Sequence, residues 1–200
     1  MSIEADSIPD LYERHAAVYD QGRGRDLMEK TWLDRLLTLT VPPRSVLDLG
    51  CGSGEPIAHY LIDQGCELTG IDSSPTLIGL CRRRFPSHRW TVTDMRSLSL
   101  NRQFQGIIAW DSFFHLRPSD QERMFSVFRR HAAPKATLMF TSGPGRGVAI
   151  GTYQNEPLYH ASLDASEYKK LLNDNGFNVV AHRVEDPDCG RHTVWLAQQD

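Results

Sequence analysis

The residues best equipped for chemistry sit at the ends of short apolar runs. The run SVLDL leads through Asp48-Leu49 into Gly50-Cys51-Gly52-Ser53-Gly54, a turn with glycine at every second position. Such a turn lets the backbone pass close to a bulky ligand, and the helix that follows offers free N–H groups. The next run, ELTGID, ends in Asp72-Ser73. That is about 20 residues on, where a carboxylate accepts hydrogen bonds from ribose hydroxyls in nucleotide-binding α/β folds. The third run ends in Asp94-Met95, an acceptor beside a soft apolar side chain, suited to the amino group and face of an adenine. Each has a plainer reading: a tight turn, a helix N-terminal carboxylate worth about 0.3–1 kcal/mol, a solvated turn aspartate. Three such ends in succession argue for a nucleotide-like ligand.

The elements that must position them follow from periodicity. Ile8, Leu11, Tyr12, Ala16 and Tyr19, then Met28, Trp32, Leu33, Leu36 and Leu37, fall at helical spacing and predict two helices within residues 1–42, the second stopped by Pro42-Pro43. SVLDLG, CELTGID, RWTVTD, QGIIAWD and ATLMFTS read as strands. Helices lie between them, one opened by Ser74 with Pro75 at its first position and another by a capping box from Ser119 to Glu122. A helix over 164–175 and the strands FNVVAHRV and HTVWLAQ close the chain. Alternation of strands and helices predicts a doubly wound α/β domain spanning 1–200. Its seven-stranded sheet is mostly parallel, with an antiparallel C-terminal hairpin, and ligands are expected beyond the carboxyl ends of the strands. Residues 143–163, rich in Gly, Pro and Tyr, read as a functional loop.

VLDLGCGSG, GIDSS, TDM and AWDSFFHL, in that order and spacing, resemble the successive motifs of class I S-adenosylmethionine-dependent methyltransferases. The resemblance runs from about Tyr12 to the last strand pair. It implies a Rossmann-like fold and S-adenosylmethionine as cofactor. Gly50, Cys51, Gly52 and Gly54 would border the methionine part, Asp72 and Ser73 the ribose, Asp94 and Met95 the adenine. Trp110 and Asp111 would lie under the cofactor, with the first helix and its Tyr12 and Tyr19 covering it. EPLYHASLDASEYKKLLNDNGF is similar to small bacterial methyltransferases, which leaves the acceptor open. A dinucleotide-binding G-x-G-x-x-G is not formed, since Glu55 follows Gly54, and this disfavours an NAD-dependent oxidoreductase. Asp111-Ser112-Phe113-Phe114 departs from the (N/D)-P-P-(Y/F) tetrapeptide of DNA amino-methyltransferases. A non-catalytic S-adenosylmethionine-binding or sensor protein stays open as an alternative.

Methyl transfer from a sulfonium mainly requires alignment and exclusion of water, with a base needed only for a protonated acceptor. His115 and His160 are the catalytic candidates, and each could equally be a satisfied interior histidine. Phe113, Phe114, Arg146, Tyr153 and Tyr159 are the expected substrate residues, Arg146 as a fork for a carboxylate. The chain has 200 residues, 40% hydrophobic and 24% charged, a composition that excludes intrinsic disorder as the main state. Twenty-two Lys and Arg against 25 Asp and Glu give a net charge of −3, which argues against nucleic acid as partner. No run is long and apolar enough to span a bilayer, and the four cysteines form no C-x-x-C pair. The expectation is a cytoplasmic monomer or homodimer without metal, acting on a small-molecule acceptor.

Overall fold

A computed structural model describes residues 3–200. Its strands are β1 (Ser45–Leu49), β2 (Glu67–Asp72), β3 (Arg89–Val92), β4 (Phe104–Ala109), β5 (Ala132–Ser142), β6 (Gly147–Tyr153), β7 (Glu156–Ser162), β8 (Phe177–Asp186) and β9 (His192–Gln199). The helices are α1 (Ile3–Arg14), α2 (Ala16–Gly22), α3 (Lys30–Leu39), α4 (Ile57–Asp63), α5 (Pro75–Arg84), α6 (Pro118–His131) and α7 (Ala165–Asp174). Seven strands form one sheet in the order β3-β2-β1-β4-β5-β9-β8, parallel except for β9 against its two neighbours. This is the predicted sheet.

β1 reads as a continuous apolar run because every residue of it is buried, as expected of a central parallel strand covered on both faces. Leu47 and Leu49 point into one layer with Phe128, Phe140 and Trp195, while Val46 points into the other with Leu36, Ala58 and Ile78. β1 pairs with both β2 and β4, so the crossovers diverge above its carboxyl end and open a crevice there.

Four local expectations change. The first predicted helix breaks at His15 into α1 and α2, and these two form the cover over the strand ends. The second, α3, is a layer helix instead: it buries Trp32, Leu33, Leu36 and Leu37, and Trp32 Nε1 donates to Asp186 Oδ2 at 2.9 Å. α6 starts at Pro118 with no side-chain cap, so the Ser119–Glu122 box does not form. Proline already fixes φ at the first position there, and its missing N–H removes one donor a cap would have satisfied.

The fourth change matters most for function. Residues 143–163 are mainly an ordered hairpin, β6 paired antiparallel with β7 in a sheet of their own. Gln154 and Asn155, both with positive φ, make the two-residue turn.

Candidate functional site

A cavity of about 310 Å³ lies above the carboxyl ends of β1, β2, β3 and β4, roofed by α1 and α2 and reached by the start of β9. Its floor is the glycine turn. Gly50 has φ +76 and stands so close to the next strand end that a Cβ would lie 2.3 Å from Ser112 Cβ, so the position admits only glycine. Gly52 has φ +56, and a Cβ there would lie 3.1 Å from the Tyr19 ring, so the cover sits closely on the turn. Ser112 donates to the Leu49 carbonyl at 2.6 Å and locks the β4 end to the β1 end.

Asp72 closes β2 with its carboxylate aimed into this space. Oδ2 accepts from the Gly52 N–H and Oδ1 from the Ser74 N–H, each at 2.9 Å, and Ser73 lines the cavity beside it. Burial raises its pKa while these N–H groups pull the other way. Beneath the turn, burial and then the charge of Asp72 push the Asp48 carboxyl up to about 7. Asp94 and Met95 line another wall of the cavity with Leu77. Arg96 engages the Asp94 carboxylate through its backbone N–H at 2.8 Å and through Nε. Burial disfavours the Asp94 charge, but these bonds outweigh it and hold the carboxyl below its ordinary value.

At the end of β4, Asp111 takes φ +48, a sparsely populated conformation for which aspartate is among the better suited residues. Thr141 Oγ1 accepts its N–H at 2.9 Å. His192 Nε2 stands 2.9 Å from Asp111 Oδ1 and Nδ1 2.8 Å from the Cys189 carbonyl. Both ring nitrogens therefore face acceptors, and the Asp111 carboxylate raises the His192 pKa. Arg23 lines the same end and is paired with the fully buried Glu29.

His115 is held from both sides. Nδ1 lies 2.8 Å from the Tyr159 carbonyl, which can only accept, so Nδ1 carries the proton and Nε2 accepts from the Tyr12 hydroxyl at 3.0 Å. Burial lowers the His115 pKa to about 4, so the ring is neutral near pH 7. His160 stacks beside it, ring centroids 4.9 Å apart, and burial lowers its pKa too.

Of the predicted residues, Tyr19, Gly50, Gly52, Asp72, Ser73, Asp94, Met95, Asp111, Phe114, His115 and His160 line the cavity. Seven do not. Cys51 turns its thiol down toward Gly70 and Cys81, and Gly54 abuts Phe85. Trp110, just past the end of β4, is buried behind His192, ring centroids 5.4 Å apart, in the layer of Trp32, Val46 and Leu196. Phe113 is a core aromatic among Phe125, Phe128 and Phe140. Tyr159 is 3% exposed and packs against α1, so only its carbonyl serves the site. Tyr153 stacks on the far side of Tyr12, and Arg146 pairs with Glu167 at the surface. Sequence reasoning missed Arg23, Ser112 and His192. The partners of Ser112 and His192, Leu49 and Asp111, lie 63 and 81 residues away, so no local spacing marks them.

Residues 46–135 match a family described as Methyltransferase domain. A dTDP-3-amino-3,4,6-trideoxy-alpha-D-glucopyranose N,N-dimethyltransferase of Streptomyces venezuelae is 28% identical over 137 residues, covering 64% of this chain and 57% of that one. A magnesium-protoporphyrin O-methyltransferase of Rhodobacter capsulatus is 32% identical over 128 residues, covering 60% and 54%. The chain thus spans little more than half the length of these curated relatives. Among solved structures, a magnesium protoporphyrin IX methyltransferase from Synechocystis PCC 6803, with S-adenosylmethionine bound, superposes with TM-score 0.73 at 17% identity, covering 100% of this chain and 99% of that one. No helix among the described residues is long and apolar enough to cross a membrane. By its sheet order and its succession of strand-end motifs the chain has the fold of S-adenosylmethionine-dependent methyltransferases, and its residues 46–135 match a methyltransferase domain.

Proposed function

We propose that the protein binds S-adenosylmethionine in the 310 Å³ cavity and transfers its methyl group to a small organic acceptor in the cytoplasm. One observation carries this reading: a buried carboxylate, Asp72, oriented by the backbone of the glycine turn and facing the cavity beneath Tyr12 and Tyr19. Asp72 would hold the ribose hydroxyls, with Met95 and Leu77 against the adenine. Arg23 would take the methionine carboxylate, and Asp111, held in place by His192, its ammonium. The four cysteines are free, in keeping with a reducing compartment.

The cofactor supplies an activated methyl carbon. This chain's residues exclude water, align the acceptor and accept its proton where it carries one. Tyr12 donates to His115, so its oxygen keeps a lone pair for the cavity. Burial favours the neutral His160 ring, and a neutral imidazole keeps one nitrogen able to accept a proton at the acceptor side.

Calorimetry with S-adenosylmethionine, its demethylated product and NAD tests the cofactor assignment. Both adenosyl ligands are expected to bind and raise the melting temperature, and NAD is not. Methyl-labelled cofactor with a cell extract is expected to place label in small molecules. Label in nucleic acid or protein, or binding with no label transferred at all, overturns the reading.

A further inference from the structure

A second cavity, of about 350 Å³, opens beside the first and shares Phe114 and His160 with it. Its other walls are the end of β5, the turn that follows and the inner face of the β6–β7 hairpin. Hairpin register sets Ala149 opposite His160 and Gly147 opposite Ser162, so these four share one face. His160 lies against Phe114 at 5.2 Å and His115 at 4.9 Å between ring centroids, which places it where the two cavities meet.

The chemistry of this second space is narrow. Apart from His160, no described residue lining it has an ionisable side chain. Its two side-chain hydroxyls are already engaged. Ser142 donates to the Gly143 carbonyl at 2.9 Å and accepts from Trp195 Nε1 at 3.1 Å. Ser162 bonds the Leu163 carbonyl at 3.0 Å and stands 3.3 Å from the Tyr168 hydroxyl. A charged group brought here meets no counter-charge and no free side-chain hydroxyl among the described lining residues, whereas an apolar body meets Phe114, Pro144 and Val148. The volume falls at the lower end of the range for small-molecule sites.

Resting on the methyl-transfer reading above, we infer that the second cavity is the acceptor site, and that the acceptor has an uncharged, largely apolar body whose nucleophilic atom reaches the cofactor cavity between Phe114 and His160. In the transfer, the nucleophile's electron pair forms the new bond to the methyl carbon. The carbon–sulfur bond breaks with its pair left on sulfur. A proton on the nucleophile passes to the free ring nitrogen of His160. Anionic nucleotide-linked or carboxylate acceptors are excluded by the lining.

The test uses three phenols with one nucleophile and different charge: para-cresol, para-hydroxybenzoate and tyramine. Each is titrated by calorimetry into protein saturated with S-adenosylhomocysteine. Para-cresol is expected to bind at least about tenfold more tightly than either charged phenol. Ala149→Phe fills the cavity from an exposed position beside His160, and Gly147→Phe does so where an added Cβ meets nothing within 4 Å. Both are expected to weaken para-cresol at least about tenfold while S-adenosylhomocysteine affinity stays within about twofold. Equal binding of the three phenols, no binding of para-cresol, or binding unchanged in both filled variants overturns the acceptor inference and leaves the cofactor assignment standing. Failure of S-adenosylhomocysteine to bind the native protein overturns the functional reading itself, and the inference with it.

Discussion

Between β5 and α6, Phe113, Phe125, Phe128 and Phe140 are fully buried with their rings in mutual contact, and Phe140 is stacked on Trp195 at 5.8 Å. Above the strand ends the chain is held differently. The cover of α1, α2 and the hairpin shares a small apolar cluster of Ala5, Ile8, Leu11, Tyr159 and Ala161. Polar ties do the rest: Glu13 accepts from Ser74 and from Thr76, whose hydroxyl donates at 2.7 Å, and Asp20 pairs with Arg84 at 2.6 Å. Aromatic burial gives non-directional stabilisation that only unfolding removes, whereas half-exposed ion pairs are worth about 0–1 kcal/mol each. A roofed cavity has to open for its ligand. The contrast says which part opens: the cover, at low cost, while the sheet stays folded.

The comparison can be broken at several points. Phe140→Ala is expected to lower the unfolding free energy by about 3–5 kcal/mol in denaturant titrations. A loss below about 1 kcal/mol would remove the claim that the aromatic layer carries stability. His115 lies at the border of the two regions. Its unfolded ring takes a proton below the ordinary value of 6.5, and its folded ring not until about 4. Stability is therefore full above 6.5 and falls as pH drops toward 4, by up to about 3 kcal/mol. Denaturant midpoints measured across that window should slope accordingly, and His115→Gln should flatten the slope.

Asp72→Ala sharpens the boundary between site and core. S-adenosylhomocysteine binding should weaken by about 1.5–3 kcal/mol in calorimetry, the worth of hydrogen bonds to a charged group. Unchanged affinity would remove Asp72 from the ribose. Arg84→Ala has the smallest expected effect on stability, within about 1 kcal/mol, yet should speed release of S-adenosylhomocysteine in stopped-flow fluorescence. Equal release rates would show that the cover is not held by its ion pairs.

The sheet was legible because its signals are local and redundant. An apolar run leads into a glycine turn at Asp48–Gly54, another ends in an aspartate at Asp72, and the structure puts both where the spacing implies. β6 was not legible as a strand because six of its seven residues are exposed. With neither face buried, GVAIGTY carries no inside–outside alternation to read. Trp110 misled for the opposite reason. Adjacency to Asp111 in sequence suggested a shared cavity, but past the end of β4 Trp110 packs into the core layer while Asp111, at φ +48, turns into the cavity. His192 offered no signal at all, since its role depends on Asp111 at the end of another strand.

The β6–β7 hairpin pairs with no strand of the main sheet. Substitutions along its inner face therefore leave the register of every central strand untouched, and with it the seat of Asp72 and the glycine turn. Over evolutionary time such a wall can drift residue by residue, or be exchanged whole after gene duplication, while the cofactor machinery is inherited intact. Descendants of one such ancestor would share their methyl donor and differ in what they methylate, and the record of that divergence would be written mostly between β5 and α7.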